Sequence, residues 1–170
     1  MEKEKIIALN KEKILTLTKF VLILGLSILA PLFKNQLITG PIVNALLYIA
    51  TVILGLSSAI FIGLLPSAVS LATGLLPIIL APMIPFIIIG NSILVIVFNY
   101  FYRKNYWLGV GMASLFKFLF LFVSSQTLVN FFLKSSLAAK AASMMSWPQL
   151  YTAIIGGIIA FIFLRFLKKV

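Results

Sequence analysis

Apolar residues fill this chain in long blocks, and polar residues gather at the ends of the blocks rather than alternating through them. Six blocks stand out, at about 14–33, 38–56, 57–76, 83–102, 107–133 and 147–167. Roughly 20 residues at about 1.5 Å each is the helix length that crosses a bilayer's hydrocarbon core. The pattern therefore predicts an all-α integral membrane protein, a compact bundle of six transmembrane helices forming a single domain over residues 1–170. Ahead of the first block, MEKEKIIALNKEK (1–13) is a charged tail expected to form a short surface helix. It is not read as a cleavable signal peptide, because the apolar run behind it is too long and lacks a small-residue cleavage site. Gly55-Leu56-Ser57-Ser58 predicts a very tight turn between the second and third spans.

Two segments share a grammar. Ala81-Pro82-Met83-Ile84-Pro85-Phe86-Ile87-Ile88-Ile89-Gly90-Asn91 and Thr39-Gly40-Pro41-Ile42-Val43-Asn44-Ala45 each place proline near a helix start and carry an asparagine into the apolar run. Proline costs least at a helix start, where its missing N–H has no partner to lose. A polar side chain inside hydrocarbon is costly and marks a functional candidate. The two segments are expected to frame a small-molecule site near one membrane face, with Pro82 and Pro85 shaping a loop over it.

Composition agrees with the pattern and narrows the chemistry. The chain is 62% hydrophobic and 10% charged, with mean hydropathy +1.19, against roughly 25% charged residues in soluble domains. It has no cysteine and no histidine, which removes disulfides, thiolate chemistry, histidine bases and His-based metal sites. Its acids are Glu2, Glu4 and Glu12, all in the tail. Paired-carboxylate catalysis, a carboxylate metal site and an acidic proton relay inside the membrane are excluded with them. No catalytic residue and no cofactor is predicted. No nucleotide-binding motif is present either, so uphill movement of a solute needs a partner to supply energy.

The net charge of +11 does not point to nucleic acid, since the basic residues cap apolar segments rather than line one face. With the N-terminus in the cytoplasm, the inner side holds Lys3, Lys5, Lys11, Lys13, Lys19, Arg103, Lys104, Arg165, Lys168 and Lys169, and the outer side only Lys34, Lys134 and Lys140. That imbalance predicts both termini inside. Tyr100, Tyr102, Tyr106 and Trp107 then form the inner aromatic belt, Trp147 and Tyr151 the outer one. The outer loops are 34–40, 76–83 and 134–146, the last rich in Ala and Ser and a candidate interfacial helix.

The candidate binding residues are Asn44, Tyr48, Asn91, Lys117 and Gln126. Asn44, Tyr48, Thr51 and Gly55 share a helix face, either lining a cavity or joining helices by hydrogen bonds. Asn91 contacts either ligand or Asn44. Lys117 lies near the midplane between Phe116 and Phe118. It either pairs with an anionic group on a substrate, or snorkels to the inner face or bonds to backbone carbonyls. Gln126 and Asn130 sit where they line the pocket mouth or solvate a loop. Ala59, Gly63, Ser67, Ser70 and Gly74, with Pro66 among them, form a small-residue stripe read as a packing face. Ala153/Gly157 and Gly156/Ala160 on the sixth span are read the same way.

The six short spans, the Gly-Pro entry to the second, the proline-broken third and the run APMIPFIIIGN together resemble the substrate-binding S components of energy-coupling factor (ECF) vitamin transporters. The resemblance covers nearly the whole chain. It implies a multi-pass protein of a bacterial plasma membrane with both termini cytoplasmic. It also implies one high-affinity vitamin or micronutrient site near the outer face, a membrane T component and two cytoplasmic ATPase subunits. Many S components carry an Ala-xxx-Ala pair on the first span for docking the T component; here KFVLILGLSILAPLF has none. The lack of acids disfavours a cationic ligand and the lack of histidine disfavours nickel or cobalt. Pantothenate, niacin, lipoate, biotin or a flavin are left. The contrasting expectations are a non-transporting membrane scaffold and an autonomous secondary carrier.

Overall fold

The computed structural model describes residues 2–74, 78–132 and 142–170. Among them, all regular structure is helical. The principal helices are α1 (Glu2–Leu29), α2 (Gln36–Leu54), α3 (Leu56–Ala72), α4 (Ile84–Phe101), α5 (Tyr106–Phe132) and α6 (Trp147–Phe166). Short 3₁₀ helices at Ala30–Phe33 and Ile78–Met83 follow α1 and precede α4. Five segments are long and apolar enough to cross a membrane: Lys11–Phe33, Gln36–Leu54, Ala81–Phe101, Tyr106–Thr127 and Ala142–Phe166. The apolar helix α3, expected to reach residue 76, stops at Ala72 and is 17 residues long. Thr73 and Gly74 end it, Gly74 taking the left-handed φ of 71° that glycine tolerates best.

The chain's punctuation sets these boundaries. No break separates the charged tail from the first span: α1 is one helix of 28 residues. It ends in the Pro31-containing 3₁₀ turn, closed by Lys34 in the left-handed conformation. Asn35 then caps α2, its side-chain oxygen accepting from the Leu37 N–H at 2.9 Å. Gly55, at φ 85°, is the single residue between α2 and α3. Asn105 caps the start of α5 by accepting from the Leu108 N–H at 3.0 Å. Lys134, Lys140 and most of the expected outer loop at 134–146 lie outside the described residues, as does the side chain of Asn130.

Helix α2 is the hub, packed against α1, α3, α4 and most extensively α6, while α5 bridges α4 and α6. Its closeness to α6 follows from glycine. A Cβ on Gly156 would meet Asn44 Cβ at 2.7 Å and the Ala45 backbone nitrogen at 2.9 Å. A Cβ on Gly40 would meet Thr152 at 2.7 Å. Gly157 lies as close to Val110 of α5. Small residues allow helices this near each other in lipid, where packing replaces the hydrophobic drive between them.

An aromatic cluster closes the end of the bundle that holds the α4–α5 turn. Tyr48 and Phe98 are fully buried with ring centroids 4.6 Å apart, and Phe98 also packs on Tyr102 and Tyr106. The Tyr106 hydroxyl donates to the Gly157 carbonyl at 2.8 Å, joining α5 to α6. Exposed Leu, Ile, Val and Phe side chains cover α1, α5 and α6, as a lipid-facing surface requires.

Candidate functional site

At the opposite end of the bundle a cavity opens between the end of α1, the start of α2, the end of α3 and the starts of α4 and α6. About 850 Å³ of empty space lies in and around it, open solvent at the mouth included. Its floor is a three-residue cluster. Lys117, from the middle of α5, is buried and donates from Nζ to Asn44 Oδ1 at 2.6 Å and to Asn91 Oδ1 at 2.8 Å.

Both amides are held with their oxygens toward Lys117. Asn91 Nδ2 donates to the Gly63 carbonyl of α3 at 3.1 Å. Asn44 Nδ2 lies 3.5 Å from Thr152 Oγ1 on α6, and that hydroxyl donates to the Gln149 carbonyl at 3.2 Å. With each NH₂ engaged elsewhere, each carbonyl oxygen faces the lysine. Five helices therefore fix one cationic side chain. A lysine ammonium has three donors, and two are directed to these amides. Both acceptors are neutral, and every acid of the chain lies in the N-terminal tail.

The walls differ from the floor. Pro31, Val43, Pro66, Ile87, Met144 and Met145 give them an aliphatic and thioether character. Their hydroxyls largely turn back on the chain: Thr39 Oγ1 donates to the Ala30 carbonyl at 3.1 Å and Ser70 Oγ to the Pro66 carbonyl at 2.5 Å. Gln149 Nε2 donates to the Met144 carbonyl at 3.2 Å, and Gln36 Nε2 to the same oxygen at 3.4 Å. Gln36 thus ties the segment before α6 across to α2, and Gln149 ties that segment to α6 itself. Lys34 stands exposed at the rim.

Of the residues singled out from the sequence, Asn44, Asn91 and Lys117 line the cavity and touch one another. Tyr48 does not line it. One turn along α2 from Asn44, it lies beneath the floor, fully buried, its hydroxyl 3.1 Å from Ser114 Oγ. Gln126 does not line it either. Nine residues beyond Lys117 at about 100° per residue is half a revolution of α5, and Gln126 is exposed on the far side. Lys117 does not snorkel to the inner face; it turns to the two amides. Ser67 and Ser70, read as packing residues, line the cavity wall. Gln149 and Thr152 had not been singled out. Gln149 repeats the proline-then-amide grammar, directly after Pro148 at the start of α6, and that signal could have found it.

Two substitutions separate floor from foundation. Asn91→Leu removes one of the two oxygens on Lys117 and the tie to Gly63. Ligand affinity is expected to fall about 10-fold in a calorimetric titration, roughly the value of one charge-assisted hydrogen bond. Unchanged affinity with a lower melting temperature would make Asn91 a structural residue alone. Tyr48→Phe loses only the bond to Ser114, and is expected to cost about 1 kcal/mol of stability with ligand affinity within about twofold of wild type.

A family model described as the ECF transporter substrate-specific component matches residues 15–166. No curated protein matches the chain, and no solved structure matches it.

Proposed function

The chain belongs to the substrate-specific components of ECF transporters, and from that premise we propose that its cavity captures a vitamin or related micronutrient, neutral or anionic, from outside the cell. As a member of that family it is a multi-pass membrane transport component that binds a substrate, and not an enzyme. In the proposed arrangement all six helices, α3 included, cross a bacterial plasma membrane. Both termini are cytoplasmic and the cavity mouth faces outward. The bias of Lys and Arg toward the end holding the termini and the α4–α5 turn supports this orientation.

The observation that carries the reading is the floor: a buried lysine held between Asn44 and Asn91 at the base of an open cavity. Polar groups are costly in a bilayer interior and concentrate where they serve function. A purely adhesive role for these residues would leave the cavity above them without use. The aromatic cluster below the floor, with Tyr48 and Phe98 fully buried, stands between the cavity and the other end of the bundle. Delivery is therefore assigned to the assembly with a membrane T component and two cytoplasmic ATPase subunits.

Reconstitution tests this. Vesicles containing the chain together with T component and ATPases are expected to take up the ligand only with internal ATP at the ATPase face. The chain alone is expected to bind it without net uptake. Uptake by the chain alone would favour an autonomous carrier. Failure to bind any micronutrient below micromolar, with no ATPase subunit co-purifying, would favour a scaffold.

A further inference from the structure

The chemistry of floor and walls narrows the ligand, resting on the reading of the cavity as a capture site. We infer that the ligand is a monocarboxylate with an aliphatic or thioether-compatible, non-aromatic body, bound with its carboxylate down on Lys117 and its body against Val43, Ile87, Met144 and Met145.

The floor sets the charge. Lys117 is 3% exposed and has two neutral acceptors. A single buried cation is complemented by a single anion: a neutral ligand leaves the charge uncompensated, and a dianion brings one charge too many into a low-dielectric site. The third donor of Lys117 is the one left for a ligand atom. Asn44 and Asn91 keep the lysine from drifting, so the charge is already positioned when the ligand arrives. Lys34 at the mouth adds a second positive charge at the rim, and with no acid outside the N-terminal tail the field along this path favours an anion.

The walls set the body. Among the described residues no aromatic side chain lines the cavity, whereas Pro31, Val43, Pro66, Ile87, Met144 and Met145 do. A planar heteroaromatic ligand gains much of its affinity by stacking on aromatic faces, which these walls do not offer. Methionine adapts its shape to irregular aliphatic or sulfur-containing bodies. The wall hydroxyls of Thr39 and Ser70 donate to backbone carbonyls of their own chain, so neither offers its proton to a polyhydroxylated body. A carboxylate head with a compact, weakly polar body satisfies both halves of the site.

Calorimetric titration of the wild-type protein in detergent tests this with matched acid and uncharged probes. These are lipoate and lipoamide, biotin and biotinamide, pantothenate and panthenol, nicotinate and nicotinamide, with riboflavin as the large aromatic probe. An aliphatic acid is expected to bind best, at least about 100-fold more tightly than its uncharged partner, the scale of a buried charge pair. Acid and uncharged forms binding within about threefold of each other would overturn the carboxylate. Nicotinate as the tightest ligand would overturn the non-aromatic body. Riboflavin or nicotinamide as the tightest ligand would overturn the inference while leaving capture intact. Binding of none of the probes would overturn this inference; the capture reading falls with it only where no ATPase subunit co-purifies either. Because the protein is unaltered throughout, no loss of fold can imitate a result.

Discussion

Lys117→Met is expected to abolish high-affinity binding, with the dissociation constant rising at least about 100-fold, while the protein stays folded. Methionine is close to the lysine stem in length and lacks the ammonium. The change removes a buried charge, which relieves its desolvation, and leaves Asn44 Oδ1 and Asn91 Oδ1 without their donor. Those two effects oppose each other, so the melting temperature moves little while the affinity collapses. Lys117→Arg is not expected to rescue binding. A planar guanidinium is bulkier than the ammonium now held at 2.6 and 2.8 Å between two amide oxygens. Titration of both variants alongside circular dichroism separates the outcomes. Affinity within about threefold of wild type in a folded Lys117→Met protein would remove the lysine from the site.

The second large effect is on the fold. Gly156→Ala adds one methyl group where α6 meets α2. That Cβ would lie 2.9 Å from the Pro41 carbonyl oxygen and the Ala45 nitrogen and 2.7 Å from Asn44 Cβ. Backbone atoms of a helix cannot swing aside as a side-chain tip can. The helices must separate, at an overpacking cost of about 1–3 kcal/mol, or a fall of roughly 2–12 °C in melting temperature. Moving α2 also moves Asn44, so affinity is expected to fall with stability. Gly111→Ala is the control. Nothing lies within 4 Å of its added Cβ, and alanine's helix propensity should stabilise it by up to about 1 kcal/mol. Equal melting temperatures for the two variants would refute the close α2–α6 contact.

These predictions show what could be read in the chain and what could not. The helices were legible because in a bilayer each must be long and apolar by itself; the blocks ending near Leu54, Phe101 and Phe166 do so within a residue or two. Asn44, Asn91 and Lys117 were legible individually, since each is an expensive residue in hydrocarbon. Their convergence was only half legible. Lys117 meets amides 73 and 26 residues away, and helical spacing orders residues along one helix but not across three. The same limit hides where two other candidates stand relative to the cavity. Tyr48 shares a face with Asn44 but lies one turn below the cavity floor, and Gln126 is exposed on the side of α5 away from the cavity. The short α3 was read too long because Thr73 and Gly74 continue the small, weakly polar composition of the helix they terminate. Thr152 left no mark in sequence, since its role depends on α6 meeting α2 at glycine.

Native mass spectrometry of the protein, incubated with the best-binding probe and released from detergent, tests the cavity most directly. The wild type is expected to carry one ligand per chain, and a folded Lys117→Met protein at the same concentration is expected to carry none. Equal occupancy of the two proteins would contradict the assignment of the ligand to the floor formed by Asn44, Asn91 and Lys117.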